Sequence, residues 1–130
     1  MSREIKFRGL TAKGEWAYGL PHDDAPNSTA YYAEYSQRIA WLPDTGDYAN
    51  VPIKNGTLCQ FTGLKDLNMV EVFEGDILAD PMLYPMPVVY DTYLASFVRL
   101  DTTGDVYVLN YQGIEVIGNI YQNPELLEAP

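Results

Sequence analysis

The feature that most constrains this chain is a series of short runs of strand-forming residues, each ended by glycine, proline or aspartate. The run from Leu58 to Thr62 ends at Gly63, and the run from Ile77 to Ala79 begins after Glu74-Gly75-Asp76. Three prolines in the stretch 80–87 remove three backbone donors, so this stretch is predicted to be a loop. Short strands separated by turns, with little helix, predict a mainly β sandwich or small barrel.

The first half of the chain reads as a hairpin followed by an insertion. Residues 3–8 alternate between apolar and charged side chains, which predicts a half-buried strand that returns over 15–18 after a turn at 11–14. Prolines interrupt residues 20–56, yet this segment carries many large apolar groups, so we expect one or two short strands there. Its aromatic residues are either a lid over a core or an interaction surface, and the candidates for that surface are Tyr31, Tyr32, Tyr35 and Trp41.

The end of the second half carries two further signals. Gly118 inside an otherwise apolar run predicts a bulge or a sharp barrel corner. Asn123 is a suitable N-cap and Pro124 a suitable first residue for a helix of one or two turns. We therefore predict an N-terminal hairpin and aromatic-rich insertion over residues 1–57 and a β domain over 58–130, together one structural unit.

Charge is distributed unevenly along the 130 residues. There are 18 acidic and 8 basic residues, a formal net charge of −10, and residues 66–130 hold eleven acids against the single base Arg99. Such a surface repels nucleic acid and anionic membranes. Two readings stay open, because the acids either serve solubility alone or form a face that imitates a phosphate backbone.

No combination of residues predicts chemistry. The only histidine, His22, lies in a proline-flanked loop, and the only cysteine, Cys59, can form neither a CxxC site nor an internal disulfide. Asp101 to Asp105 resembles part of a calcium loop, but position 112 is Gln where an EF-hand needs Glu. We expect no catalytic residue, metal or cofactor and no enzymatic activity. The first residues mix charge with apolar groups, which favours a cytoplasmic protein over a secreted one.

Four segments resemble the YopX family, a group of small proteins carried by bacteriophages and prophages. They are Arg3 to Arg8 (REIKFR), Gln60 to Asp66 (QFTGLKD), Val72 to Ile77 (VFEGDI) and Glu115 to Leu127 (EVIGNIYQNPELL). The resemblance implies a mostly β protein with an SH3-type barrel in its second half, from a phage or prophage and acting in the bacterial cytoplasm. It implies no activity and no catalytic residues. Two positions depart from the family, which often has glycine where this chain has Met69 and Cys59.

The recurring residues of these segments suit turns better than chemistry. Glycine supplies positive φ, and short polar side chains bond nearby backbone groups. We therefore interpret one set of residues as structural: Gly63, Gly75, Asp76, Gly118, Asn119 and Pro124.

The functional hypothesis is a phage or prophage accessory protein that acts as a non-enzymatic protein-interaction module. Its partner is another protein or a second copy, without nucleic acid or membrane. The alternative is an acidic inhibitor that competes with nucleic acid for a basic host protein.

Overall fold

The computed structural model describes residues 4–22, 35, 37–41, 49–82, 84–109 and 113–128. The chain is mainly β, as the sequence predicts. The described residues contain the strands β1 Phe7–Leu10, β2 Trp16–His22, β3 Gln37–Trp41, β4 Ala49–Ile53, β5 Cys59–Lys65, β6 Glu71–Phe73, β7 Asp76–Ala79, β8 Met86–Asp91, β9 Ser96–Leu100, β10 Val106–Val108 and β11 Glu115–Asn119, and the 3₁₀ helix Pro124–Leu127.

The strands form two antiparallel sheets. Hydrogen bonds order one sheet as β4-β3-β2-β1-β5-β6 and the other as β10-β9-β8-β7-β11. The chain divides into two compact units, Glu4–Gln60 and Phe61–Pro130, the second of which also takes in Met1–Arg3.

The N-terminal unit contains the predicted hairpin and both strands of the insertion. Strands β1 and β2 pair from Phe7 opposite Gly19 to Leu10 opposite Trp16, around a turn closed by the Gly14 N–H donating to the carbonyl of Thr11. The insertion contributes β3 and β4, which pair with each other, and β3 also pairs with β2. The core of this unit consists of Ala17, Ile39 and Ile53, all fully buried.

Two details of the first strand differ from the sequence prediction. The strand begins at Phe7, and Ile5, which the alternation placed inside, is 63% exposed. Arg8, which the same alternation placed outside, is buried with its guanidinium 4.0 Å from the centre of the Trp16 ring. Arginine favours such stacking on an aromatic face, so this charged residue behaves as part of the packing.

The C-terminal unit has its own core of Val72, Leu78, Val88, Leu109 and Ile114. Leu64, Phe97 and Val116 pack against this cluster. Antiparallel pairing runs from β7 to β8, from β8 to β9 and from β9 to β10, while β11 pairs with β7 on the other side. The alternating apolar residues of these strands therefore supply one face that packs on the core.

The family resemblance implied an SH3-type barrel, whose sheet is closed, but the described sheets are open. Among the described strands, neither sheet is closed, because β4 and β6 remain edges of one sheet and β10 and β11 edges of the other. Alternation and turn signals are the same for an open sheet and for a barrel, whereas closure depends on strand tilt and stagger. The sequence pattern could not distinguish these arrangements.

The C-terminal helix is present but differs in type and capping. It is a single 3₁₀ turn with Pro124 at its start, and Asn123 makes no side-chain cap bond to it. The Asn123 Oδ1 instead accepts a hydrogen bond from the backbone N–H of Asn119. No helix in the described part of the chain has the length and apolar character needed to cross a bilayer.

Candidate functional site

The segment Gln60 to Asp66 leads into a turn whose backbone N–H groups bond to the Asp66 carboxylate. Its Oδ1 accepts from the backbone N–H groups of Asn68 (2.8 Å) and Val70 (2.9 Å), and its Oδ2 accepts from that of Val116 (2.9 Å). Partial burial raises the pKa of Asp66, but the amides of Val116, Val70 and Asn68 together lower it, so the pKa lies below its usual value. Both carboxylate oxygens are thus occupied by backbone.

Gly63 and Gly75 both adopt left-handed backbone conformations. Gly63, with φ 90°, lies where the pairing of β5 with β6 shifts register. Gly75, with φ 88°, forms the turn between β6 and β7, and the neighbouring Asp76 Oδ2 accepts from the Phe73 N–H at 2.8 Å. These positions suit glycine and aspartate because the first tolerates positive φ and the second bonds the backbone of its own turn.

The last motif packs the end of β11 against the 3₁₀ helix. The register with β7 shifts between Val116 and Gly118, where the sequence predicts a bulge. A Cβ at Gly118 would come within 2.7 Å of the Asn123 Oδ1 and 2.8 Å of the Leu126 Cδ1. Asn119 is buried, and its Oδ1 accepts from the N–H groups of Tyr121 and Gln122.

The structure brings two of these motifs together. Asp76 lies opposite Asn119 in the β7–β11 pair, and the Ile120 N–H donates to the carbonyl of Gly75 at 2.9 Å. The polar side chains at this end of the pair bond to nearby backbone and to Gln122. The geometry of these turns therefore explains why aspartate and asparagine occur at these positions.

A different part of the C-terminal unit exposes apolar groups in an ordered conformation. In the turn between β8 and β9, the Asp91 Oδ1 accepts from the backbone N–H groups of Tyr93 (2.8 Å) and Leu94 (3.1 Å). Tyr93 is 95% exposed and Leu94 53% exposed. We call Tyr93 and Leu94 the apolar tip.

Below the apolar tip, Tyr90 and Phe97 form an edge-to-face pair with ring centroids 5.1 Å apart. These two rings and Leu94 line a groove of roughly 450 Å³, whose other walls include Leu64, Val98 and Val108. Apolar side chains line this groove together with exposed polar atoms, so it is an open surface of mixed character.

The ion pair between Asp80 and Arg99 anchors the strand at one side of the groove. Arg99 Nη1 lies 2.7 Å from Asp80 Oδ2, and both side chains are almost fully buried. Arg99 Nε also donates to the carbonyl of Val108 in β10. Arg99 is therefore a structural residue, and its charge is neutralised inside the unit.

The described surface of the C-terminal unit is acidic. Apart from Arg99, its described residues include one base, Lys65, whereas eight acidic residues other than Asp80 are exposed or half-buried. These acids are Glu71, Glu74, Asp91, Asp101, Asp105, Glu115, Glu125 and Glu128. The side chain of Thr103 and backbone amides of the β9–β10 turn hold the pKa of Asp101 below its usual value, and the bonded Asp101 raises the pKa of Tyr107.

The aromatic surface predicted in the insertion is only partly within the described residues. Tyr35 is half-buried, while Tyr31, Tyr32 and the side chain of Trp41 lie outside the described part. The apolar tip was not singled out by sequence reasoning. The sequence Asp91-Thr92 before Tyr93 and Leu94 is compatible with a turn, but the same residues also fit a buried strand.

No group of three or more metal-ligating side chains occurs among the described residues. The Cys59 thiol is buried and donates to the Thr57 carbonyl at 3.2 Å. The candidate site is therefore the groove and the apolar tip, which lie on an acidic unit.

Comparison with known proteins agrees with the four recurring segments. A family model described as "YopX protein" matches residues 6–128. Among solved structures, protein EF1440 from Enterococcus faecalis is 27% identical and superposes with a TM-score of 0.52, covering 98% of this chain and 100% of that one. No curated protein matches the chain. Because the family model spans nearly its whole length, the chain belongs to the YopX family.

Proposed function

We propose that this protein is a non-enzymatic phage or prophage accessory protein that acts in the bacterial cytoplasm by binding another protein. The binding surface in this proposal is the apolar tip with the adjoining groove. The phage origin rests on the family resemblance, and the binding role rests on the structure of the C-terminal unit.

The proposal rests on one observation: a hydrogen-bonded turn exposes two large apolar side chains to solvent. Asp91 bonds the backbone N–H groups of Tyr93 and Leu94, so the turn directs both side chains into solvent. An exposed tyrosine brings a large contact area, and ordering its few side-chain torsions costs little entropy. Tyrosine is also enriched at protein interfaces relative to other surfaces.

The absence of enzymatic activity is part of the proposal, and the motif carboxylates support it. Asp66 and Asp76 each accept hydrogen bonds from backbone N–H groups of their own turns. A general acid or base must instead face a bound substrate and exchange a proton with it. The groove is lined chiefly by apolar side chains, with Thr62 and Ser96 as its uncharged polar residues.

A second candidate is an acidic inhibitor that occupies the nucleic-acid site of a basic host protein. The observation that favours it is the acidic described surface of the C-terminal unit, where eight acids face one exposed base, Lys65, and Arg99 is buried against Asp80. This candidate needs binding that weakens steeply with salt. A triple charge reversal, Asp101→Lys, Asp105→Lys and Glu115→Lys, would then abolish binding, whereas loss of the apolar tip would matter little.

The two candidates separate in one affinity experiment on the full chain. Tagged wild-type protein, Leu94→Ser and Leu67→Ser are incubated with lysate of infected or lysogenic cells at low and high salt. Leu94 and Leu67 are matched, because both are turn leucines and are 53% and 55% exposed. We expect a partner that wild-type protein and Leu67→Ser retain and that Leu94→Ser loses by roughly tenfold, since a central apolar anchor contributes at least ~1.4 kcal/mol.

Equal recovery of every bound protein by Leu94→Ser and wild type would overturn the proposed surface. Loss of binding on charge reversal alone would favour the acidic inhibitor. Light scattering on the purified protein tests self-association, and we expect a monomer at micromolar concentration because two acidic copies repel each other.

A further inference from the structure

We infer that the open edge of β10 accepts an extended, basic segment of the protein partner as an additional strand. This inference rests on the proposed function and deepens it, because it names how the partner enters the groove and which chemistry it brings.

The two edges of the five-stranded sheet differ. At the β11 edge, the Val116 N–H donates to Asp66 Oδ2, the Leu67 N–H donates to the carbonyl of Ile114, and the Asn119 N–H donates to Asn123 Oδ1. These bonds satisfy edge groups that would otherwise pair with another strand. Proteins commonly cover or block sheet edges in this way.

The β10 edge carries less cover among the described residues, where one side-chain bond to its backbone runs from Arg99 Nε to the Val108 carbonyl. Strand β10 pairs with β9 alone, and its Val106 and Val108 are 41% and 67% exposed. No proline or basic side chain occurs within the strand. An exposed edge with apolar side chains is a template for strand addition, in which backbone hydrogen bonds supply affinity and side-chain pockets supply selectivity.

The edge is bonded to β9 and adjoins the groove. Arg99 Nε donates to the Val108 carbonyl, and Arg99 Nη1 forms an ion pair with the buried Asp80. Val108 and Leu109 line the same groove as Tyr90 and Leu94. A strand added beside β10 would therefore bring alternate side chains to the groove, which gives this edge a recognition surface as well as a backbone.

The acidic turns beside this edge favour a bound segment that carries positive charge. Asp101 and Asp105 form the turn that leads into β10, and Asp91 forms the turn that leads into β9. A segment with alternating apolar and Lys or Arg side chains matches this combination of apolar edge and acidic turns. A second copy of the chain, with net charge −10, would bring like charges to the same place.

The test uses the full chain and three synthetic six-residue peptides. The first alternates lysine and valine, the second alternates glutamate and valine, and the third is the lysine peptide with two consecutive N-methyl amides at its centre. Consecutive N-methyl groups block both hydrogen-bonding edges of an extended peptide without changing its charge. Binding is followed by backbone amide chemical shifts and by deuterium exchange.

We expect the lysine peptide to bind weakly, to shift the amides of 106–108 and to slow their exchange. The glutamate and N-methyl peptides should bind roughly tenfold more weakly or not at all. Val108→Lys should weaken binding by roughly tenfold, because it places a like charge on the edge, and Ile117→Lys in the covered β11 should change it less than about twofold. The amide spectrum of each variant establishes that it is folded.

The outcomes separate this inference from the proposed function. Shifts confined to residues 90–97, with equal affinity of the N-methyl peptide, would overturn strand addition and leave the apolar tip as a binding surface. No binding at millimolar peptide would overturn the inference as well, while the Leu94→Ser experiment still decides the proposed function. Concentration-dependent pairing of β10 with a second copy would replace the basic segment by the chain itself.

Discussion

The carboxylate of Asp66 and the backbone N–H of Val116, fifty residues apart in the chain, are joined by a hydrogen bond of 2.9 Å. The same carboxylate closes its own turn through Asn68 and Val70. One side chain thus ties the turn between β5 and β6 to the edge of β11. A recurring aspartate in this position is explained by three backbone donors and requires no ligand.

Replacement of Asp66 should destabilise the protein. Asp66→Asn keeps one oxygen but places an NH₂ group where Oδ2 accepts from Val116, so at least one buried donor loses its partner. We expect a loss of about 2 kcal/mol in the free energy of unfolding, measured in urea. Asp91→Asn is the matched control, since the described bonds of Asp91 use Oδ1 alone, and it should cost less than ~0.5 kcal/mol. Equal losses in both variants would contradict this account.

The low pKa of Asp66 makes its contribution depend on pH. Its pKa is lowered in the folded protein, so the folded state favours the ionised form. The stabilisation is therefore complete above the unfolded pKa of about 3.9 and is lost as the pH falls through the folded pKa. The difference in unfolding free energy between wild type and Asp66→Asn should be constant near neutral pH and shrink below about pH 4. A difference that is unchanged down to pH 2.5 would be incompatible with a stabilising carboxylate.

Met69 should carry backbone strain that glycine would relieve. It is 69% exposed and has φ 66°, a left-handed conformation in which side chains other than glycine are disfavoured. The family often has glycine here. Met69→Gly should stabilise the protein by about 1 kcal/mol in thermal or urea unfolding. Met69→Ala is the control and should give little gain, because alanine keeps the Cβ; a destabilised glycine variant would show that the turn is not strained.

Gly118 should tolerate no side chain. A Cβ there would lie 2.7 Å from Asn123 Oδ1, 2.8 Å from Leu126 Cδ1 and 2.9 Å from the Asn123 Cβ. The first two atoms can rotate away, but the Asn123 Cβ moves only with its backbone, so Gly118→Ala must shift residue 123. We expect a cost of at least about 2 kcal/mol in the unfolding free energy. Gly104→Ala provides the comparison, because its Cβ would meet nothing within 4 Å and only its φ of 91° opposes alanine; it should cost about 1 kcal/mol. Equal costs would mean that the helix does not pack closely on Gly118.

The sequence predicted elements whose signals are local. The first hairpin and the one or two strands expected in the insertion each depend on neighbouring residues, namely a turn glycine, an alternation or apolar groups between prolines. Sheet closure depends on distant edges, and the position of Arg8 depends on the Trp16 ring that stacks on it. These features are set by tertiary contacts, which alternation does not encode.

The candidate site was harder to predict than the fold. Gly63, Gly75 and Gly118 could be recognised as turn or bulge positions because positive φ and close approach are local demands. Tyr93 and Leu94 read as ordinary strand formers, and only the two bonds to Asp91 show that they project from a turn. Likewise, Arg99 is the single base of residues 66–130, and only the structure shows that it is buried against Asp80 and so absent from the surface.

We propose that the apolar tip contacts a protein partner. Site-directed photo-crosslinking measures such a contact directly. A photoreactive phenylalanine analogue replaces Tyr93 in one sample and Leu67 in another, and each full-length protein is irradiated in lysate of infected or lysogenic cells. The account predicts a discrete crosslinked protein at position 93 that is absent at position 67. No adduct at position 93, or the same adducts at both positions, would contradict it.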